Sequence, residues 1–168
     1  MKNLSLFQNE PKYTFDTCSF NEIFDDERHF NKINAPGVWD GIQELISKGE
    51  IISHREVYEE IMKGPYKALK AWARQNSSLF LPYDFDGEGK IIAGIGERGF
   101  MEFVHQYKEY FNADPWLIAQ AKINGLTIIT QEKGKGPRDI LKICEEFSIQ
   151  YLDIFGLIKA KGWVLYKK

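Results

Sequence analysis

The sequence has little of what would cross-link a chain outside the cell or hold it in a membrane. Only 2 of its 168 residues are cysteines. Two cysteines are too few for a disulfide framework, and Cys18 and Cys144 lack the spacing of a zinc site. No apolar run reaches the length that spans a bilayer, and the first residues lack the apolar core and small-residue cleavage site of a signal peptide. We therefore expect a cytoplasmic protein with no membrane partner.

Metal sites and nucleophiles built on histidine or cysteine are also lacking. His29, His54 and His105 show no metal-ligand spacing. Cys18 has no recognisable base beside it, so we interpret it as a packed thiol rather than a nucleophile.

One glycine pattern matches the fingerprint of a dinucleotide-binding site. Gly94, Gly96 and Gly99 have its spacing, and Asp114 follows at roughly the distance of the acid that binds a ribose. In a dinucleotide site the acid that binds the ribose ends a second strand, whereas Asp114 opens a helix-like stretch. The three glycines also lie in the middle of the chain rather than after the first strand of a βαβ unit. A dinucleotide-binding protein is therefore a weak alternative, which predicts no role for Asp16.

What is present is the composition of one globular domain, residues 1–168. Hydrophobic residues make up 43% of the chain and charged residues 27%, which excludes a disordered protein. The net charge of −2 is uneven: 6 basic against 12 acidic groups in residues 1–60 give −6, 7 against 7 in 61–120 give 0, and 9 against 5 in 121–168 give +4. The basic last third could contact phosphates, although ordinary surface variation is an equal alternative.

Short β-branched runs alternate with stretches of helical spacing, which is typical of a parallel sheet covered by helices on both faces. Strands are predicted near residues 12–16, 51–52, 79–81, 127–130 and 149–152. Helices are predicted at 36–48, after the capping box Ser53-His54-Arg55-Glu56, around 68–72, at 114–124, at 137–147 and up to Gly162. Residues 83–112 give no clear pattern. Four tryptophans have helical spacing and predict core positions, although an exposed one could stack on a base: Trp39, Trp72, Trp116 and Trp163.

Four acidic residues stand where strands and helices of such a sheet would meet. They are Asp16, Glu60, Asp114 and Glu132. Folds of this kind place their sites at the carboxyl edge of the sheet. At about 5 Å and an effective dielectric near 20, two carboxylates repel by about 3 kcal/mol. A divalent cation relieves that repulsion and brings chemistry with it.

Two of the acids also have a plain structural explanation. Asp16 could be a turn or cap residue, although the hydroxyls of Thr17 and Ser19 suit a metal ligand with outer partners. Asp114 before Pro115 has the pattern of an N-cap followed by proline at the first helical position. One carboxylate could serve as both cap and ligand.

The other two acids are left open by the residues themselves. Periodicity does not choose between Glu59 and Glu60, which flank the core-facing side of their helix equally. Glu56 points away from that side and is most simply the glutamate of the capping box. Glu132 could be a solvated loop residue, or part of a phosphate site with the cations that follow it. Those cations are Lys133, Lys135 and Arg138.

Together these segments resemble the PIN-domain family of metal-dependent nucleases. They are most similar to a small, toxin-like branch with Asp-Pro-Trp and Thr-Gln-Glu variants of the motifs. The resemblance covers about residues 12–165 and rests on four motifs in order: Phe15-Asp16-Thr17-Cys18-Ser19-Phe20, Ile52 to Ile61, Asn112 to Ala121, and Ile129-Thr130-Gln131-Glu132.

The resemblance assigns the four acids as catalytic metal ligands. It favours Glu60 over Glu59 because the family's helix glutamate precedes an aliphatic residue, here Ile61. The fourth acid is usually the aspartate of Thr-x-Asp, so the longer Glu132 could reach the metal directly, act through water or do neither. The hydroxyls of Thr17, Ser19 and Thr130 are expected as outer partners, with RNA contacts from Lys133, Lys135 and Arg138.

The resemblance further implies an α/β/α sandwich that binds Mg²⁺ or Mn²⁺ and cleaves RNA with a metal-activated water. The sequence agrees in having no Ser-His or Cys-His pair. Membership of the toxin-like branch implies the toxin of a toxin-antitoxin pair, with a protein antitoxin and a homodimer. The competing hypothesis is a PIN-like fold that acts as a non-catalytic RNA- or protein-binding module, which Glu132 in place of aspartate favours.

Overall fold

The computed structural model describes residues 10–25, 27–28, 30–104, 112–134 and 139–166. Within these residues an all-parallel sheet of five strands has the order β3-β2-β1-β4-β5. The strands are β1 Tyr13–Phe15, β2 Ile51–His54, β3 Phe80–Leu81, β4 Thr127–Ile129 and β5 Tyr151–Leu152. Each lies in or beside a predicted strand.

Helices cover the sheet and complete the expected three-layer α/β/α sandwich. They are α1 Thr17–Phe24, α2 Pro36–Ser47, α3 Arg55–Lys63, α4 Lys67–Gln75, α5 Gly87–Glu97, α6 Met101–Val104, α7 Asp114–Asn124, α8 Ile140–Glu146 and α9 Ile154–Lys161. The prediction for α7 is confirmed, including Gly125 as its stop, where φ is +64°. In the described residues no helix is both long and apolar enough to cross a membrane.

The core lies on the faces of the sheet, as expected for parallel strands buried on both sides. Phe15, Ile52 and Ile129 are fully buried. Two buried hydrogen bonds hold the central strands in place. Ser53 Oγ of β2 donates to the carbonyl of Phe15 in β1 at 2.7 Å, and Gln120 Nε2 of α7 donates to the carbonyl of Ser53 at 3.1 Å. Because these groups are bonded, the core avoids the cost of unsatisfied buried polar atoms.

The strand register brings the carboxyl ends of the strands to one edge. Phe15 pairs with Ile129, and Ile129 pairs with Leu152. On the other side of β1, Thr14 pairs with Ile52. The residues that directly follow β1 and β4 are therefore neighbours.

The predicted capping box is wrong in its details. Ser53 still belongs to β2, because its hydroxyl bonds the neighbouring strand. The cap of α3 is His54, whose Nδ1 accepts a hydrogen bond from the backbone N of Glu56 at 3.0 Å. Glu56 does not point away from the core: it is only 4% exposed.

The dinucleotide fingerprint is also wrong. Gly94 and Gly96 lie inside α5, and Gly99 follows the helix with φ of +92°. A phosphate-binding loop needs its glycines between the end of a strand and the N-terminus of a helix, whereas Gly94 lies seven residues inside α5.

Two glycines of α2 allow the segment after α9 to lie close to that helix. The backbone N of Gly37 donates to the carbonyl of Leu165 at 3.0 Å. At Gly41 the ring of Trp163 is so near that a Cβ would come within 2.4 Å of it. A side chain at either glycine would therefore displace this segment.

Candidate functional site

The strand order creates one crevice where an α/β sheet of this kind places its ligands. The chain winds from β1 towards β3 on one side and returns to β4 on the other, so its direction reverses between β1 and β4. Ligands of open α/β sheets bind outside the carboxyl ends of the strands at such a point. Asp16 follows β1 and Thr130 follows β4, and Thr130 Oγ1 donates to Asp16 Oδ2 at 2.9 Å.

Asp16 is held inward rather than used as a helix cap. It occupies the N-cap position of α1 but makes no capping hydrogen bond, whereas Asp139 and Asp153 cap α8 and α9 through backbone N–H groups at 2.9 and 2.6 Å. The side chain of Asp16 is buried, with 4% exposed. Its Oδ2 also accepts from Cys18 Sγ at 2.9 Å.

Cys18 is the donor in that contact because its thiol stays protonated. Burial first, and then the carboxylate of Asp16, raises the pKa of Cys18 above the ordinary value. The interpretation of Cys18 as a packed thiol therefore omitted its contact with the first acid.

Glu60, rather than Glu59, is turned towards the same crevice. One oxygen of Glu60 accepts from the hydroxyl of Thr17, and the other accepts from the backbone N of Ala113 at 2.9 Å. Glu59 instead pairs with Arg55 at 2.7 Å. Burial raises the pKa of Glu60 despite these two hydrogen bonds, and the charge of Asp16 adds to the increase.

Asp114 meets the other acids at the start of α7, but it does not cap that helix. The cap position is Ala113, and the side chain of Asn112 accepts from the backbone N of Asp114 at 3.1 Å. Burial first, and then the charges of Asp16 and Glu60, raises the pKa of Asp114 well above its ordinary range. No described residue donates a hydrogen bond to its carboxylate.

Glu132 lies at the outer side of the group. It is exposed, in the loop after β4, and its backbone N donates to Thr130 Oγ1 at 3.2 Å. Partial desolvation and the charges of Asp16 and Asp139 raise the pKa of its carboxyl group. Lys133 is exposed in the same loop, and the predicted RNA contacts Lys135 and Arg138 lie outside the described residues.

The three hydroxyl groups that were predicted as outer partners donate to three different acceptors in the structure. Thr130 bonds Asp16, and Thr17 bonds Glu60 rather than the neighbouring Asp16. Ser19 Oγ donates to the carbonyl of Ile129 at 2.8 Å, so it joins α1 to β4 rather than orienting a carboxylate.

The donor chemistry of the crevice fits a hard divalent cation. Its side-chain donors are carboxylate oxygens, which Mg²⁺ and Mn²⁺ prefer, and the charges that raise the pKa of Glu60 and of Asp114 are those of other acids. The present side-chain positions are more open than a coordination sphere. In the described ranges, no three His, Cys, Asp or Glu side chains are grouped so that they would hold an ion.

A second polar group adjoins the crevice and was missed from the sequence. His54 is fully buried, and its Nε2 lies 3.2 Å from Glu88 Oε2. Because Nδ1 accepts from the backbone of Glu56, the ring proton is on Nε2, and His54 donates to Glu88. Sequence analysis predicted a surface or core role for His54 and a capping role for Glu56, and Glu88 lay in the stretch without a pattern.

One family model matches nearly the whole described fold. The family is described as Domain of unknown function (DUF4411), and its model matches residues 13–165. No curated protein matches the chain. The matched residues include every strand of the sheet and all four acids of the crevice. The chain therefore belongs to the DUF4411 family.

Proposed function

We propose that the protein is a metal-dependent endoribonuclease. The observation that carries the proposal is the meeting of Asp16, Glu60 and Asp114 at the carboxyl edge of the sheet, where Glu60 bonds both Thr17, which follows Asp16, and Ala113, which precedes Asp114. Buried carboxylates that repel one another are costly unless a cation joins them. The resemblance of the four motifs to the PIN family supports RNA as the substrate.

Three acids of the crevice would bind a Mg²⁺ or Mn²⁺ ion, and neighbouring side chains would orient them. Asp16, oriented by Thr130 and Cys18, would bind it together with Asp114 and with Glu60, which Thr17 orients. The bound ion would lower the pKa of a water and offset charge on the scissile phosphate.

Residues at the mouth of the crevice would meet the RNA. The exposed Glu132 would act as an outer or fourth acid. Lys133, with Lys135 and Arg138, would contact phosphates and so fix the RNA backbone.

We further propose that the protein is the toxin of a toxin-antitoxin pair. This proposal rests on the similarity of the Asp-Pro-Trp and Thr-Gln-Glu motifs to the toxin-like PIN branch. It implies a cytoplasmic toxin with a protein antitoxin, and a homodimer.

Replacing Asp16 or Asp114 by asparagine tests the activity. Each change keeps the shape of the side chain but removes its charge, so we expect Mg²⁺-dependent cleavage of single-stranded RNA to fall by about 100-fold or more, since even outer partners of a metal contribute about 10–100-fold. Cleavage is measured on a labelled RNA with and without EDTA.

A matched control is Asp40→Asn, which changes the same charge on an exposed residue of α2. This variant should cleave at the parent rate. Parent-like cleavage by both Asp16→Asn and Asp114→Asn would exclude the mechanism.

The openness of the crevice favours one alternative, a non-catalytic RNA- or protein-binding module. Both oxygens of Glu60 are already hydrogen-bonded, Glu132 is exposed, and no ion-holding group of three is present among the described residues. A parent protein that binds RNA but leaves it intact with Mg²⁺ and with Mn²⁺ would favour this alternative.

A further inference from the structure

Three aromatic rings form a continuous surface, the aromatic platform, made of Tyr83, Phe85 and Trp116. The rings of Tyr83 and Phe85 are stacked, with centroids 5.2 Å apart and 10° between their planes. Both meet the ring of Trp116 edge to face, at 5.0 and 5.9 Å. Trp116 in turn stacks on the buried ring of His54 at 5.4 Å.

The outer ring of the platform is open to solvent. Phe85 is 71% exposed, whereas Tyr83 and Trp116 are half-buried. An aromatic ring with one face supported and most of its surface exposed is what a nucleobase needs for stacking.

The segment that carries Phe85 is fixed before any ligand arrives. The backbone N of Asp84 donates to Glu88 Oε2 at 2.7 Å, and the backbone N of Glu88 donates to the carbonyl of Asp84 at 2.8 Å. The same Glu88 oxygen is bonded by His54. A preformed surface loses less conformational entropy when it binds.

The platform borders the acidic crevice on two sides. The hydroxyl of Tyr83 donates to Glu56, which lies one turn before Glu60 on α3 and contributes to the raised pKa of Glu60. Trp116 stacks on His54, which is the last residue of β2 and so lies at the same carboxyl edge of the sheet. A chain that crosses the crevice would therefore meet the platform.

We propose that the platform stacks a base of single-stranded RNA whose backbone crosses the acidic crevice. This proposal deepens the proposed nuclease function and rests on it for the identity of the polymer. A base is neutral, so it can approach the acids without the repulsion that a phosphate would meet there. Three partly buried rings, each with at most about 250 Å² of surface, fall short of the roughly 800 Å² that a protein partner buries on one side.

The test measures binding in EDTA, where cleavage is absent, by the fluorescence anisotropy of a labelled ten-nucleotide oligouridylate. We expect Phe85→Ala to weaken binding about tenfold, since one stacked base contributes about that much. Phe85→Trp should bind at least as tightly as the parent. The control is Phe155→Ala, which removes another exposed phenylalanine, 52% exposed at the start of α9, and should leave affinity unchanged.

An abasic oligonucleotide of the same length separates stacking from phosphate contact. The parent and Phe85→Ala should bind it with equal, weaker affinity. Equal affinity of these two proteins for oligouridylate, or an equal loss on both oligonucleotides, would overturn the platform.

These outcomes are distinct from failure of the nuclease proposal. If the parent does not cleave RNA with Mg²⁺ but Phe85→Ala weakens binding in EDTA, base stacking on the platform is supported and the nuclease function is not, so the protein would be an RNA-binding module. A parent that cleaves, together with no Phe85 effect, would leave the nuclease standing without the platform.

Discussion

At the scale of single residues, the surroundings of Asp114 disfavour the charged form of its carboxyl group. Asp114 stands at the N-terminus of α7, where the helix dipole favours a negative charge. Burial and the charges of Asp16, Glu60 and Glu132 outweigh that benefit, because together they raise its pKa well above the ordinary range. The folded protein therefore binds a proton at Asp114 more tightly than the unfolded chain does.

This imbalance predicts that Asp114→Asn stabilises the metal-free protein at alkaline pH. A raised pKa in the folded state means that stability is lost as pH rises from the ordinary aspartate value through the raised one. Asparagine removes the charge without breaking a hydrogen bond to the side chain, so Tm at pH 8 in EDTA should rise by a few degrees. Calorimetry from pH 4 to pH 8 measures the difference.

The gain should shrink as pH falls, because the parent carboxyl group then takes up its proton and becomes neutral as well. A Tm below that of the parent at pH 8 would show that the charge of Asp114 stabilises the fold.

The sequence predicted which acids gather, but not how they are held. Asp16, Asp114 and Glu132 follow from strand ends and a helix start, whereas Glu60 over Glu59 needed the family resemblance. The bond from Thr17 to Glu60 spans 43 positions, and the bond from Thr130 to Asp16 spans 114. Such partners depend on the strand order, which local patterns do not contain.

At the scale of elements, junctions that look alike in sequence serve different ends. Asp16, Asp139 and Asp153 each precede a helix, yet only the side chains of Asp139 and Asp153 accept hydrogen bonds from the helix backbone. Capping by an aspartate contributes about 1 kcal/mol. The helix α1 lacks this stabilisation, because the carboxylate of Asp16 accepts hydrogen bonds from Cys18 and Thr130 instead.

Two glycines in helix interiors should respond to alanine in opposite directions. In α2, a Cβ at Gly41 would lie 2.4 Å from the ring of Trp163, so Gly41→Ala should destabilise by about 1–3 kcal/mol. In α5, a Cβ at Gly94 would meet nothing within 4 Å, so Gly94→Ala should stabilise by about 0.5–1 kcal/mol.

Urea unfolding of the two variants and the parent measures both changes. A destabilising Gly94→Ala, or a neutral Gly41→Ala, would contradict the packing described for these helices.

The elements that sequence reasoning recovered are those with simple periodicity. The strands β2 and β4 are rich in β-branched residues, and α7 has clear start and stop residues. The region of α5 and α6 gave no pattern because glycines interrupt the helical spacing of Ile91 and Ile95. Packing of α5 on α7 supplies the stability that local propensity does not.

At the scale of the whole molecule, the sheet gathers negative charge at one edge of a chain whose net charge is only −2. Asp16 lies between β1 and α1, whereas Glu60 and Asp114 lie on α3 and α7, and these elements meet at the reversal between β1 and β4. A cation bound there would join these elements, so its binding energy would add to the stability of the whole fold.

We therefore expect Mn²⁺ to raise the Tm of the parent. At about 100 times its Kd, an ion that binds only the folded state adds about 2.7 kcal/mol, which corresponds to a rise of about 5–10 °C for a chain of this size. Asp16→Asn and Asp114→Asn should lose most of this rise, and Asp40→Asn should keep it. Equal shifts in all four proteins would place the ion elsewhere.

The hydrogen bond between Asp16 and Thr130 also sets a time for the appearance of the site during synthesis. The two residues are 114 positions apart, and a ribosome adds about 5–20 residues per second. Roughly 6 to 23 s therefore pass between the synthesis of Asp16 and the earliest moment at which β4 can join β1. A nascent chain lacks a complete crevice throughout that interval, so a nuclease of the proposed kind would not act on the messenger that encodes it until translation is well advanced.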